Sequence, residues 1–194
     1  MEQPAISYAL VLLKRVKKSL PPRLLYYLQP LRELLQYVFY EPQLTMALSP
    51  EVAIPALELP VGFSVRPFTE SPDRDAWVKV VDGILGEWDR KTADVFFFGD
   101  KYFDPALCIL LIHENRTIGT ASGRIRKIKG NIVGEIHMVS VLPEFRGLGL
   151  GNMITVIVLK MLRDRLPGTD IVLKTDSWRH AAVKTYTKLG FRVI

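Results

Sequence analysis

The sequence contains few of the residues that hold small secreted proteins and metal sites together. It has 194 residues and one cysteine, Cys108, which excludes an intrachain disulfide framework and a multi-cysteine zinc site. Its three histidines show no ligand spacing, so we expect no bound metal. With 48% hydrophobic and 24% charged residues, the composition is that of a globular protein, which excludes wholesale disorder.

Long apolar runs and blocks of like charge are also missing. The longest early apolar run covers residues 5–13, whereas a membrane-spanning helix needs about 20 apolar residues. The basic side chains follow this run, whereas those of a signal peptide precede it, so we expect a cytoplasmic protein. The net charge of +6 is spread along the chain, which favours a solvated basic surface over a nucleic-acid-binding face.

The first 60 residues are interpreted as an N-terminal extension. The pattern predicts helices over residues 5–19 and 23–40, and residues 41–62 contain four prolines, which is typical of an extended linker. We therefore assign residues 1–60 to a helical extension with its linker, and residues 61–194 to the main domain. Apolar stripes are usually buried, so packing of these helices on the main domain or on a second copy of the chain is favoured over peripheral contact with an anionic membrane.

The main domain shows the pattern of a mixed α/β sheet. From residue 62 onward, alternating or compact apolar runs predict strands, and apolar residues at helical spacing predict helices. The predicted order is β-α-α-β-β-β-α-β-α-β. Hairpins in the middle of this order and a β-α-β crossover near its end indicate an α/β domain with flanking helices.

A glycine-rich loop at residues 143–151 carries the clearest functional signal. Gly147, Gly149 and Gly151 alternate just before a predicted helix, so the backbone can turn tightly and approach a ligand closely. Backbone N–H groups at a helix N-terminus favour anions, and Arg146 adds a positive charge. The loop therefore suits a pyrophosphate, although the Gly-Lys-Ser/Thr triplet of a P-loop does not occur.

Two further interpretations of this loop remain open. A dinucleotide-binding fold has the spacing G-x-G-x-x-G, whereas the spacing here is G-x-G-x-G, but Asp176 ends the following strand as a ribose-binding acid would. The glycines also fit a ligand-free entry into a helix. That alternative is less favoured because a strand, an arginine, alternating glycines and a helix all coincide.

At these residues the sequence resembles the GNAT superfamily of acyl-CoA-dependent N-acyltransferases. The family's loop motif, with the strand that precedes it, is matched by Val139, Val141, Pro143, Arg146, Gly149 and Gly151. A second family motif is matched by Ala182, Tyr186, Gly190 and Phe191. The resemblance covers residues 62–194.

The resemblance implies a fold and a co-substrate. The fold is a mixed, mostly antiparallel sheet that splays between the strand at residues 132–141 and the strand at residues 170–175, with acetyl-CoA in the gap. The residues implied to bind acetyl-CoA are Val139, Val141, Arg146, Gly147, Leu148, Gly149, Gly151, Asn152 and Arg179. Many relatives carry Asn at the position of Arg179, so this arginine is expected to reach a phosphate or to face solvent.

The resemblance also implies two catalytic side chains. Glu135 is expected to accept the proton of the amine, and counting every second residue places it on the same face as Val139. A carboxylate paired with Arg124 or Arg126 is an equally weighted alternative, and His137 is a second candidate base. Tyr186 is expected to give the leaving thiolate a proton or a strong hydrogen bond, unless its ring only packs under the sheet.

The resemblance therefore implies an N-acetyltransferase in which an amine attacks acetyl-CoA directly within a ternary complex. The alternative is a non-catalytic acyl-CoA-binding module whose N-terminal helices dock to a membrane or a partner. The acceptor is left open between small-molecule and peptide amines. The short last strand, from residue 191, is expected to weaken the acceptor-side wall or to be completed by a second copy in a homodimer.

Overall fold

The computed structural model describes residues 43–128 and 130–194, so both predicted N-terminal helices lie outside the described residues. The elements in chain order are β1 (Gln43–Leu48), β2 (Phe63–Pro67), α1 (Glu70–Val81), α2 (Arg90–Phe96), β3 (Cys108–His113), β4 (Arg116–Ile128), β5 (Asn131–Val141), α3 (Leu150–Arg165), β6 (Ile171–Asp176), α4 (His180–Lys188) and β7 (Arg192–Val193). None of the helices among these residues combines the length and apolarity that crossing a membrane requires.

All seven strands form one sheet in the order β2-β3-β4-β5-β6-β1-β7. Strands β5 and β6 are parallel, and every other neighbouring pair is antiparallel. This architecture confirms the prediction of a mixed, mostly antiparallel sheet with flanking helices, and the predicted order of elements holds from residue 62 onward.

Strand β1 lies within the segment that the prolines had indicated as a linker, so that prediction is wrong for Gln43–Leu48. The four prolines flank this stretch and leave residues 43–49 free of proline, and Met46 and Leu48 alternate into the core. Strand β1 pairs with β6 on one side and β7 on the other. The guanidinium of Arg163 donates to the carbonyls of Ser49 and Pro50, which fixes the turn after β1. The sheet thus begins upstream of the expected start at residue 61.

The two faces of the sheet bury separate apolar clusters. Helices α3 and α4 cover one face, where Ile154 and Leu159 pack with Tyr186 and Phe191. Helices α1 and α2 cover the opposite face, where Trp77 stacks on Phe97 with ring centroids 4.2 Å apart. We call these the α3/α4 face and the α1/α2 face.

The parallel strands β5 and β6 separate after a short contact. Only three residue pairs join them, namely Gly134 with Ile171, Glu135 with Val172, and Ile136 with Leu173. Beyond these pairs β5 continues to Val141 and β6 to Asp176 without pairing to each other. The splay that the resemblance implied is therefore present at the expected strands.

A β-bulge interrupts β5 inside the splayed part. His137 faces Ser122 of β4 and Ser140 faces Thr120, so three residue steps on β5 oppose two on β4. The additional residue is accommodated where Met138 has a φ of +53°.

The bulge reverses the expected facing of the strand's side chains. Val139 packs against the cluster on the α3/α4 face. The side chains of Glu135, His137 and Ser140 lie on the α1/α2 face, where His137 is near Phe97 and Ser140 bonds Val80 of α1. The expectation that Glu135 and Val139 share a face is therefore wrong, because counting every second residue fails across a bulge.

Gly190, which follows α4, gives a test of how tightly the segment after β1 is packed. Its φ is +95°, and an added Cβ would lie 2.8 Å from Val52 Cγ1. We expect Gly190→Ala to lower the free energy of unfolding in urea by about 2–4 kcal/mol, combining left-handed backbone strain with overpacking.

The matched control is Gly168→Ala, at a φ of +71° where an added Cβ meets nothing within 4 Å. It should show only the backbone strain, about 1–2 kcal/mol. Equal losses in the two variants would contradict the tight contact between Gly190 and Val52.

Candidate active site

The glycine-rich loop connects the splayed end of β5 to helix α3. After Val141 the chain makes a 3-10 turn at Pro143–Phe145, and Gly149 is the residue before α3. Gly147 and Gly149 have φ values of +84° and +74°, a left-handed conformation that glycine adopts without strain. The first backbone hydrogen bond of α3 runs from Met153 N to Gly149 O. The N–H groups of residues 150–152 therefore have no carbonyl partner within the helix.

The space beside this loop is open and has polar groups around it. A Cβ added at Gly147 or Gly151 would meet nothing within 4 Å. Within the described ranges, the Oδ1 atom of Asn152 is buried and has no hydrogen-bond partner. The exposed Arg146 donates from Nε to the carbonyl of Val141 at 3.3 Å, which holds its side chain against the end of β5. The N–H groups at the start of α3 and the charge of Arg146 suit an anionic ligand, whereas the Asn152 oxygen is a hydrogen-bond acceptor and adds nothing to anion binding.

The edge of β5 that faces β6 is unpaired beyond Ile136. Val139 and Val141 lie in this stretch, next to the glycine-rich loop. Backbone groups left without a strand partner need another hydrogen-bond partner when a ligand excludes water. The predicted strand residues thus lie where β5 has no partner on β6, and the predicted loop residues follow directly after them in the chain.

Glu135 lies on the α1/α2 face in an ionic network. Its Oε2 atom accepts hydrogen bonds from Arg124 Nη2 and Arg126 Nη1, both at 2.9 Å, and its side chain is buried. Arg124 also donates to Asp100 Oδ2 at 2.9 Å. The ion pair that the sequence left as an alternative role for Glu135 is therefore present in the structure. Asp100 was not anticipated, because it comes from a loop after α2 with no motif of its own.

His137 packs beside this network and is less suited to be a base. Its imidazole lies 6.0 Å from the ring of Phe97. Burial lowers the pKa of His137 well below its usual value, and the positive charges of Arg124 and Arg126 lower this pKa further. A side chain that resists protonation in this way is a poor acceptor for an ammonium proton.

Tyr186 projects from α4 into the α3/α4 face. Its ring packs edge-on to Phe191 with centroids 6.0 Å apart. Burial raises the pKa of the Tyr186 phenol to about 12, and the charge of Arg179 opposes that shift. The hydroxyl therefore keeps its proton at neutral pH and is available as a hydrogen-bond donor.

Arg179 occupies the turn between β6 and α4 and directs its donors to protein atoms. Its Nε donates to Asp176 Oδ2 and its Nη2 to the carbonyl of Ile84, both at 2.9 Å. The guanidinium also lies 4.5 Å from the ring centroid of Trp178. The contact with Ile84 joins residues 95 positions apart, and the local sequence contains no signal for it.

Other side chains with reactive groups do not extend this site. Burial raises the pKa of the Cys108 thiol to about 12, so it stays protonated in the core. Among the described residues, no three His, Cys, Asp or Glu side chains are arranged to hold a metal ion.

Comparison with known proteins points to one family. Residues 71–191 match the sequence model described as "Acetyltransferase (GNAT) family". A curated relative, "Mycothiol acetyltransferase" from Kytococcus sedentarius, is 36% identical over 144 residues, which cover 71% of this chain and 48% of the relative. The chain thus spans about half the length of the curated relatives it matches.

Solved structures show the same fold. A GCN5-related N-acetyltransferase from Sphaerobacter thermophilus aligns with a TM-score of 0.62 and 22% identity, over 84% of this chain and 53% of that one. Arabidopsis thaliana Naa50, solved with the bisubstrate analogue CoA-Ac-MVNAL, aligns with a TM-score of 0.52 and 20% identity, over 69% of this chain and 85% of that one.

The surroundings of His137 predict a dependence of stability on pH. The unfolded chain binds a proton at this residue below about pH 6.5, whereas the folded chain does not because its pKa is lowered. The contribution is therefore fully present above pH 6.5 and is lost as the pH falls from 6.5 toward the folded-state pKa. Between pH 7.5 and 5.5 this residue should remove about 1 kcal/mol from the free energy of unfolding.

Urea unfolding of the wild type and of His137→Asn at both pH values measures this contribution. The variant should lose less stability on acidification than the wild type. His180→Asn, which changes an exposed histidine, is the control and should respond to acidification like the wild type. Identical pH dependence of stability in wild type and His137→Asn would contradict the lowered pKa of His137.

Proposed function

Because the chain belongs to the acetyltransferase (GNAT) family, we propose that it transfers an acetyl group from acetyl-CoA to an amine within a ternary complex. The observation that carries this proposal is the glycine-rich loop at the open end of the splay. Gly147 and Gly149 have left-handed φ values, and a Cβ added at Gly147 or Gly151 would meet no protein atom within 4 Å. These features fit the pyrophosphate and the extended arm of CoA.

The proposed CoA site follows the cleft from α3 to β5. The residues assigned to the pyrophosphate are Arg146, Gly147, Leu148, Gly149, Gly151 and Asn152. The backbone of β5 at Val139 and Val141, which has no partner on β6, would bond the pantetheine arm and the thioester carbonyl. Holding the remote parts of CoA in this way places the thioester carbon for attack.

The two faces of the sheet suggest how the reaction is divided. The amine approaches from the α1/α2 face, where Glu135 lies, and its nitrogen forms a bond to the thioester carbon. The proton lost from nitrogen passes to Glu135, directly or through a water molecule. The lowered pKa of His137 favours Glu135 over this histidine as the acceptor. A backbone N–H of β5 stabilises the oxyanion of the tetrahedral intermediate.

The intermediate then breaks its carbon–sulfur bond, and the thiolate leaves on the α3/α4 face. The pKa of Tyr186 is raised to about 12, above the value of about 8.5 typical of a thiol, so complete proton transfer to the thiolate is uphill. Tyr186 is therefore assigned a hydrogen bond to the departing thiolate, and the thiolate takes its proton from solvent.

The acceptor is proposed only as a class. The curated relatives are named for acetylation in mycothiol chemistry, and the similar Naa50 structure holds the bisubstrate analogue CoA-Ac-MVNAL, so small-molecule and peptide amines both merit testing. In the ionic network on the α1/α2 face, the positive charges of Arg124 and Arg126 are balanced by the negative charges of Glu135 and Asp100.

Ligand binding tests the first step of the proposal. Acetyl-CoA and CoA, but not NAD or ATP, should raise the melting temperature, with a stabilisation of about 2.7 kcal/mol at a hundredfold excess over Kd. Gly151→Ala should keep or increase stability, since alanine favours helix by up to about 1 kcal/mol and its Cβ meets no protein atom.

The same variant should weaken CoA binding by about tenfold or more, because the added methyl occupies the space assigned to the ligand. A thermal shift with NAD or ATP alone would favour the nucleotide-binding alternative. Unchanged CoA affinity in Gly151→Ala would contradict the assigned position of the pyrophosphate.

Substitution of the two proton-handling residues tests catalysis. With an active amine from a panel of small amines, amino acids and peptides, Glu135→Gln and Tyr186→Phe should each lower kcat by about a hundredfold. Both should retain CoA binding within about threefold, since neither is assigned to the CoA arm. Release of the free thiol of CoA is the measurement.

Asp100→Asn is the matched control, because it removes the other carboxylate bound to Arg124 and leaves the proposed base in place. If Asp100→Asn lowers kcat as much as Glu135→Gln, Glu135 acts through the ionic network and is not the base. If CoA binds but no substitution changes turnover, the non-catalytic acyl-CoA-binding alternative is favoured.

A further inference from the structure

Three hydrogen bonds connect the two sides of the splay on the α1/α2 face, and together we call them the bracket. Ser140 Oγ of β5 donates to the carbonyl of Val80 in α1 at 2.7 Å. Arg179 Nη2 donates to the carbonyl of Ile84 in the loop after α1, and Arg179 Nε donates to Asp176 at the end of β6. The chain of contacts therefore runs from β5 through the end of α1 to β6.

The bracket lies where it can hold β5 and β6 at a fixed separation. Strands β5 and β6 hold each other through only three residue pairs, all before the splay. At the open end, Ser140 bonds the end of α1 to β5, and Asp176 bonds the guanidinium of Arg179 to β6. The bond from Arg179 to Ile84 is thus a second connection across the gap, at the mouth of the cleft.

Both ends of this connection are held in place by further contacts. The side chains of Arg179 and Asp176 are 23% and 20% exposed, and Asp176 Oδ1 accepts from Gln43 Nε2 at 3.1 Å. In the loop that carries Ile84, Gly83 N donates to Gly86 O at 2.8 Å and Trp88 N donates to Asp82 Oδ1 at 2.8 Å. The Ile84 carbonyl is therefore presented by a loop with its own internal bonds.

The chemistry of the bracket requires arginine. A guanidinium is planar and directs its N–H donors along fixed, separate directions, so one side chain reaches both a carboxylate and a carbonyl. The ammonium of lysine is a compact charge that does not reproduce this geometry. The donors of Arg179 that the structure accounts for are thus committed to protein atoms on opposite sides of the splay.

We infer that Arg179 is a positioning residue that clamps the mouth of the cleft on the α1/α2 face and thereby limits the width of the amine that reaches the thioester. The clamp itself stands on the contacts above, whereas its effect on the amine rests on the proposed function. The expected role of Arg179 as a phosphate ligand predicts a different result, a loss of CoA affinity.

Hydrogen exchange of the ligand-free chain tests the clamp. In Arg179→Lys, the backbone amides of residues 82–89 should exchange about tenfold faster or more, since a charged hydrogen bond to their loop is lost. The amides of α3 should be unchanged, which shows that the chain remains folded. Unchanged exchange of residues 82–89 would overturn the inference.

Arg163→Lys is the matched control. Like Arg179, Arg163 donates to two protein oxygens, the backbone carbonyls of Ser49 and Pro50. These carbonyls follow Leu48, which pairs with Ile171 at the opposite end of β6 from Asp176. Arg163→Lys should leave the exchange of residues 82–89 unchanged. If both variants accelerate exchange equally, Arg179 contributes only general stability and the inference fails.

The split between the two substrates tests the consequence for the amine. Arg179→Lys should raise the KM of a small amine by about fivefold or more and relax the discrimination against bulkier amines, while the Kd of acetyl-CoA changes less than about twofold. A loss of CoA affinity with unchanged amine KM would overturn the positioning role in favour of a phosphate contact. Absence of CoA binding in the wild type would instead refute the proposed function and leave the exchange result to decide the clamp.

Discussion

Strands β5 and β6 run parallel but pair over only three residues, and the parts of the candidate site lie where that pairing stops. A strand edge inside a folded protein cannot leave its N–H and C=O groups without partners at no cost. In the splayed part, the β-bulge at Met138 turns the strand, and the glycine-rich loop begins at its end. In the proposed function, an extended ligand supplies polar groups that replace the missing strand at this edge.

The sheet between the two helix layers separates the two halves of the proposed chemistry. Glu135 and its guanidinium partners lie on the α1/α2 face, and Tyr186 lies on the α3/α4 face. An amine and a thiolate can then occupy opposite sides of one acyl carbon without competing for the same polar groups. The bulge places Val139 on the α3/α4 face, because without it Glu135 and Val139 would share a face.

Features encoded within a few consecutive residues were predictable from the sequence. The glycine-rich loop is one, because Gly147 and Gly149 adopt left-handed φ values without strain and the apolar spacing after them indicates a helix. The pairing of Glu135 with Arg124 was also foreseeable as an alternative, since the two are directly opposite across a hairpin.

Features that depend on distant residues or on unmarked backbone were not predictable. Met138 adopts a positive φ although neither glycine nor proline marks the position, so the bulge escaped detection. Strand β1 gains its place from β6, more than 120 residues later, and the prolines around it suggested a linker instead. The contacts of Ser140 with Val80 and of Arg179 with Ile84 bridge 60 and 95 residues, so only the folded chain brings them together.

The unpartnered Oδ1 of Asn152 shows how stability and binding oppose each other at this cleft. A buried acceptor without a donor costs about 1–3 kcal/mol, and an apolar side chain at the first turn of α3 would avoid that cost. Gly151, which lies in α3 without a positive φ, likewise gives up the backbone entropy that alanine would save. Both costs fall on the segment next to the free edge of β5, whereas the apolar clusters on either face of the sheet are closely packed. In the proposed function, a bound ligand that donates to Asn152 and fills the space beside Gly151 recovers part of this free energy, and the pyrophosphate, which has only acceptors, is not the donating group.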